Sequence, residues 1–240
     1  MKKIVFGEMV CRWSQMSAVM LLLTFMACSQ EKNAAPATNQ QARAEQVAGR
    51  KNFGSRGMVF TPLPAVMIAT YDANQNPDVM MAAWAVQSDY NKVVLNLSSH
   101  KTTDNIRLKQ AFTISFATVK TLNESDYFGL VSGNDVPDKV ARAGFTATPS
   151  PNVDAPIIDQ YPLTLECRLY SFTETGDGGA TIVGEVVNMS AEESILGENG
   201  RVDLEKLQPV VYDSSAYIYR MVTDSVGQAW GSGRIIQQRY

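Results

Sequence analysis

The chain has 240 residues, 45% of them hydrophobic, which suits one domain with a full core or a domain plus a small appendage. Its 21 basic residues stand against 24 acidic ones, so it lacks the positive excess that condenses onto a phosphate backbone, and this argues against a nucleic-acid partner.

Lys2, Lys3 and Arg12 precede an apolar run from Met16 to Ala27, which has the length of a signal-peptide core and is too short for a membrane span. Cys28 follows Ala27 at once, a small residue before cysteine that resembles a bacterial lipobox, although Phe25 stands where Leu is preferred. Residues 1–27 are therefore expected to be a signal peptide and Cys28 a lipidation site, with an ordinary cleaved signal peptide and a chance cysteine as the alternative. Loss of Lys2, Lys3, Arg12 and Glu8 with that segment leaves 18 basic against 23 acidic residues, a net charge of minus five. Residues 28–57 carry few sizeable apolar groups, Val47 and Phe53 among them, too few to offset the entropy of ordering, and read as a flexible tether.

From about Met58 to residue 240 the chain reads mainly as strands. Ala65–Tyr71 is a β-rich run closed by the turn cluster Asp72–Pro77, which predicts a hairpin into Val79–Val86. Val93–Ser98 and Phe112–Ala117 alternate as strands, and Thr103–Gln110 between them has the composition of a short helix. Leu163–Phe172 and Thr181–Met189 flank the turn-rich Thr173–Ala180 and predict a second hairpin. In the first of these strands Cys167 shares a side with Leu163, Leu165 and Leu169, which points to burial as a small hydrophobe, while Thr164, Glu166, Arg168 and Tyr170 take the other side. Short helices are expected at Pro137–Ala143, with Asp135 as N-cap, and at Leu204–Leu207, and a last strand at Ala216–Val222. Many strands with few helices predict a mainly β (α+β) domain, a closed or nearly closed barrel with helical excursions.

The chemistry is narrowed by elimination. His100 is the one histidine, cysteine spacing offers no zinc site, and neither G-x-G-x-x-G nor a P-loop occurs. What remains is the segment Ser98-Ser-His-Lys-Thr-Thr-Asp-Asn-Ile106, which gathers hydroxyls, one lysine and an expected helix start after a strand. Such a segment suits a phosphate. It equally suits a plain helix cap in which Thr102 or Thr103 satisfies the first turn.

Taken in order, Pro64–Tyr71, Ala83-Trp-Ala85, Ser98–Ile106, Asp126-Tyr-Phe-Gly129, Val131-Ser-Gly133, Leu165-Glu-Cys167, Gly184-Glu-Val186 and Pro209-Val-Val-Tyr212 resemble the flavin reductase-like family, its flavoredoxin type above all. The resemblance implies an FMN-binding split barrel over residues 58–240, homodimeric, working as an FMN-dependent oxidoreductase or electron-transfer flavoprotein. It places Ala83, Trp84, Ala85 and Val86 on the strand whose backbone lines the isoalloxazine. Ser98, Ser99, Lys101, Thr102, Thr103 and Asn105 match the segment that holds the ribityl phosphate, and Ser132, Gly133 and Lys139 match a Ser-Gly then Lys pattern beside the flavin or substrate. Trp84 also reads as plain core, Lys139 as a solvated charge and His100 as a pocket-edge residue. Asn134 stands where relatives often carry Arg, which departs from their nicotinamide-phosphate recognition.

The implied partners are an electron donor, NAD(P)H or a redox protein, and an acceptor. With the N-terminal segment, the expectation is an exported cell-envelope lipoprotein, periplasmic or at the outer membrane. A surface lipoprotein that binds flavin or another planar ligand without turnover is the reading of a different class.

Overall fold

The computed structural model describes residues 50–51, 53–55 and 60–238, so the expected signal peptide and Cys28 lie outside the described residues. The chain divides into two compact units, Met1–Gly54 and Ser55–Tyr240, and the second carries everything below.

A seven-stranded antiparallel sheet dominates this unit. Its strands are β2 (Val66–Tyr71), β3 (Pro77–Ala82), β4 (Ala85–Asp89), β5 (Lys92–Leu97), β6 (Ala111–Phe116), β9 (Leu163–Glu174) and β10 (Ala180–Ala191), in the spatial order β3-β2-β6-β9-β10-β5-β4. The two edge strands β3 and β4 are joined by Ala83 and Trp84 alone. A link that short spans only ~10 Å from Ala82 to Ala85, so the sheet must roll until its edges approach, and the roll makes the barrel. The sequence predicts one strand through Val86, whereas the chain bends at Ala83 and changes partners: β3 pairs with β2, β4 with β5.

Strand β2 is buried over all six residues because both of its faces are covered. Val66 and Ile68 join Leu95, Leu97, Phe112, Ile114, Cys167 and Ile182 in one cluster, while Met67 and Ala69 join Phe128, Val140, Phe145, Ile158 and Tyr161 in another. Alternation along the strand thus divides apolar residues between two cores, which is why the run shows no polar face. Phe112 packs so closely against β10 that a Cβ on Gly184 would fall 2.4 Å from its ring.

Cys167 is buried, and burial followed by the neighbouring Glu166 carboxylate pushes its thiol up to about 12. Glu166, assigned by alternation to the opposite side, is buried too. Its carboxylate accepts from Ser150, Asn152 and Asn188, and although burial opposes the ionised form, these donors hold its pKa below the usual glutamate value.

The helices lie outside the sheet. Helix α1 (Lys101–Lys109) starts two residues before the expected Thr103, at an N-cap His100. Helix α2 (Leu122–Leu130) packs on β3 and was not expected, since LNESDYFGL buries only Ser125 and Phe128 fully and shows little apolar periodicity. Helix α3 (Lys139–Arg142) is shorter than Pro137–Ala143 and has Asp138, not Asp135, as N-cap. Strand β1 (Leu63–Pro64), β11 (Val210–Asp213) and β12 (Ile218–Met221) form a small sheet, and β7 (Ala147–Pro149) pairs with β8 (Pro156–Ile158). Helix α4 (Leu204–Leu207) matches its expected range.

Candidate functional site

Two hollows adjoin where the β3–β4 link, the start of α1 and helix α2 meet. The larger, about 390 Å³, is walled by Trp84, Leu130, Tyr212, Tyr219, Met81 and Asp126. The smaller, about 220 Å³, is lined by Asp78, Lys101, Thr102, Ser132, Gly133 and Lys139. His100, Met80, Met81, Gly129 and Leu130 border both, so the two read as one elongated cleft with an apolar and a polar end.

At the apolar end Trp84 is 66% exposed, an aromatic surface unused by the core. Opposite it the Tyr212 and Tyr219 rings lie 6.1 Å apart at 52°. The Tyr219 hydroxyl donates to Asp126 Oδ1 at 2.7 Å and lies 3.4 Å from Met81 Sδ. Burial, then the Asp126 carboxylate, raises its pKa above the usual tyrosine value.

At the polar end two acid–base pairs interlock. Asp78 is buried in the β2–β3 hairpin's second strand; its Oδ2 accepts from the Thr102 hydroxyl at 2.9 Å and its Oδ1 lies 3.1 Å from Lys139 Nζ. That contact is an ion pair without hydrogen-bond geometry. Lys139 Nζ also donates to the Val131 carbonyl at 3.0 Å. Lys101 Nζ pairs with Asp72 Oδ2 at 3.3 Å and donates to the Gly133 carbonyl at 3.3 Å.

Asp72 is itself fixed. Its Oδ1 accepts the N–H groups of Asn74 and Asn76 at 2.8 and 2.9 Å, and its Oδ2 accepts Asn76 Nδ2 at 3.1 Å. Burial works against its ionised form, but Asn76, Asn74 and Lys101 together bring its pKa down to about 2. Gly133 sits so close to the network that a Cβ there would lie 2.2 Å from Asp78 Oδ1.

The family model for the flavin reductase like domain matches residues 58–219. The chain belongs to this family. Flavoredoxin of Desulfovibrio vulgaris (Miyazaki F) superposes on it with a TM-score of 0.71 at 30% identity, over 77% of this chain and 99% of that one. The flavoredoxin from Methanosarcina acetivorans also gives 0.71, at 24% identity over 79% and 100%. Among curated sequences an uncharacterized protein of Aquifex aeolicus is 26% identical over 57% of this chain and 65% of its own length, so the chain spans just under two thirds of that relative. The rolled sheet is the split barrel of flavin reductase-like proteins, and membership carries a flavin-related redox function.

Within this family member the cleft gathers Ala83, Trp84, Ser98, Lys101, Thr102, Ser132, Gly133 and Lys139 from four separate stretches of chain. Ala85 and Val86 line a different, apolar hollow of about 600 Å³, shared with Tyr90, Phe116 and Met189. The hydroxyls of Thr102 and Thr103 are spent inside the protein, on Asp78 and on the Ser98 carbonyl, and Asn105 donates to Thr70. Neither threonine caps α1; the N-cap is His100, with no side-chain cap, so the plain-cap reading of this segment is replaced. Ser98 and Ser99 are exposed, and Ser132 Oγ accepts the Asn134 N–H at 3.1 Å. Lys139 is 2% exposed, a buried ion-pair member and not a solvated charge.

Asp72, Asp78, Asp126 and Tyr219 were missed as site residues. Asp72 reads as the first residue of the turn cluster that ends at Pro77, and Asp78 carries no signal of its own between that cluster and the strand; only their pairing with lysines distant in sequence reveals them.

Proposed function

We propose that the protein is an FMN-dependent oxidoreductase. The observation that carries this reading is the single cleft with an open aromatic wall at Trp84 and an uncapped helix start with Lys101 at its other end, in a chain of the flavin reductase-like family. The cleft falls within the volume range of about 300–1,000 Å³ usual for cofactor sites. In this reading Ala83, Trp84 and the backbone through Ala85 and Val86 border the isoalloxazine, and Ser98, Ser99, Lys101 and the first turn of α1 around Thr102 and Thr103 face the phosphate. Asn105, Ser132, Gly133 and Lys139 support that end from behind. Bound FMN supplies acceptance of a hydride and return of electrons singly or in pairs. The side chains bind, orient and exclude water.

The proposal extends to assembly and location. The 600 Å³ hollow with fully exposed Tyr90 supports a homodimer closed over that face. The lipobox-like Ala27-Cys28 supports an envelope lipoprotein that takes electrons from a membrane or protein donor where NAD(P)H is scarce.

Absorbance of the protein as isolated, with the released cofactor weighed by mass spectrometry, tests the cofactor. Anaerobic bleaching by a donor and recolouring by an acceptor is the expected result for an oxidoreductase. A yellow protein that never bleaches would leave only flavin binding.

A further inference from the structure

The polar end of the cleft carries two ammonium groups, Lys101 and Lys139, and each faces an acid of the β2–β3 hairpin. Lys139 is buried with its acid: it and Asp78 are each 3% exposed at the side chain, and its Nζ also donates to the Val131 carbonyl. Of the two ammonium groups, Lys101 is therefore the more accessible to a ligand's anionic group arriving here. Lys101 is held by Asp72, with both side chains 15% exposed, so the pair touches solvent.

The two partners differ in freedom. Asp72 is pinned by three donors from Asn74 and Asn76, whereas Lys101 sits on a flexible four-carbon stem and makes one further bond, to the Gly133 carbonyl. The ammonium is the part that can move. The carboxylate is ionised throughout the neutral range and stays beside it.

We propose that Asp72 is an internal competitor for Lys101, and that it sets how strongly this cleft prefers a phosphorylated flavin over an unphosphorylated one. The inference rests on the FMN reading above and extends it. With Asp72 in place, a phosphate gains Lys101 only by sharing it with a neighbouring anion, which keeps the discrimination between FMN and riboflavin small and the flavin exchangeable. Without Asp72 the same lysine answers the phosphate alone.

The test is Asp72→Asn in the full chain. The amide keeps Oδ1 as acceptor for Asn74 and Asn76, so the turn is retained while the charge is removed. Asp72→Ser, which also keeps one acceptor for the turn, serves if the amide perturbs the hairpin. FMN and riboflavin are titrated into the flavin-stripped parent and variant by fluorescence quenching. FMN binding should tighten about tenfold in the variant, with riboflavin changed by less than about twofold. A parent that binds flavin while the variant shifts both ligands equally, or neither, overturns the role of Asp72 and leaves the flavin site standing. A parent that binds neither ligand removes the flavin reading, and this inference with it.

Discussion

At the polar end of the cleft Asp78, Lys101 and Lys139 are each held by another part of the chain, while at the apolar end Trp84 and Leu130 stand open at 66% and 77% exposure. The first end is a set of buried charges whose removal leaves a partner stranded. The second is a surface whose side chains the core does not use. The contrast separates what the fold requires from what a ligand requires, because a buried ion pair is costly to break whereas an exposed aromatic is nearly neutral to stability.

The largest effect should come from Lys139→Ala, which leaves the Asp78 carboxylate buried without its counter-charge. A loss of about 3–5 kcal/mol in urea unfolding is expected. A loss under about 1 kcal/mol would show that this end is no more committed than the other.

A pair of glycines sharpens the same contrast. Gly133→Ala drives a methyl group towards Asp78 Oδ1, 2.2 Å from the ideal Cβ, and its φ lies outside the left-handed region, so the expected cost of about 1–3 kcal/mol is steric. Gly129→Ala in α2 meets only Met81, at 3.4 Å, and should be neutral or stabilising by up to about 1 kcal/mol through helix propensity. Thermal melts of the two variants should move in opposite directions or by clearly different amounts.

Tyr219→Phe removes one hydrogen bond to Asp126 and should cost about 1 kcal/mol. Because Asp126 is only partly buried and can turn to water, a cost near that of Lys139→Ala would break the distinction between the two ends.

Acid should reach the polar end through Asp72. Its folded pKa of about 2 lies below the ordinary carboxylate value of 3.8, so its contribution is complete above about pH 4 and fades as pH falls towards 2. The acid limb of the stability profile of Asp72→Asn should therefore be shallower than the parent's over that window. Identical limbs would remove the carboxylate's role in the folded state.

The smallest change in stability is expected for Trp84→Ala, within about 0.5 kcal/mol, since the ring is largely exposed. Its effect should fall on FMN and riboflavin alike, in contrast to Asp72→Asn. A large loss of stability would mean that the ring serves the fold of the barrel.

Much of the barrel was legible from local pattern. The hairpin turn at Asp72–Asn76, the strands β5 and β6, the long β9–β10 hairpin and the buried Cys167 all follow from alternation and turn chemistry, which are properties of neighbouring residues. Helix α2 did not, because its burial comes from the sheet beneath it and not from its own periodicity. Glu166 lies on the face that alternation gives it, but alternation predicts two faces and cannot say that both are covered, or that Ser150, Asn152 and Asn188 converge on one of them.

The sequence by itself determined that this is a mainly β chain, and the order of its motifs determined the family, since both reside in residue type and spacing along the chain. Which residues face the cleft was decided only by the tertiary structure. The two-residue link at Ala83–Trp84 forces the sheet to roll, and that roll brings Trp84 opposite Tyr219 and Lys101 against Asp72. A charge has no sequence-local mark of its partner: Coulomb attraction depends on distance through space and on burial, and both are set only when the barrel closes.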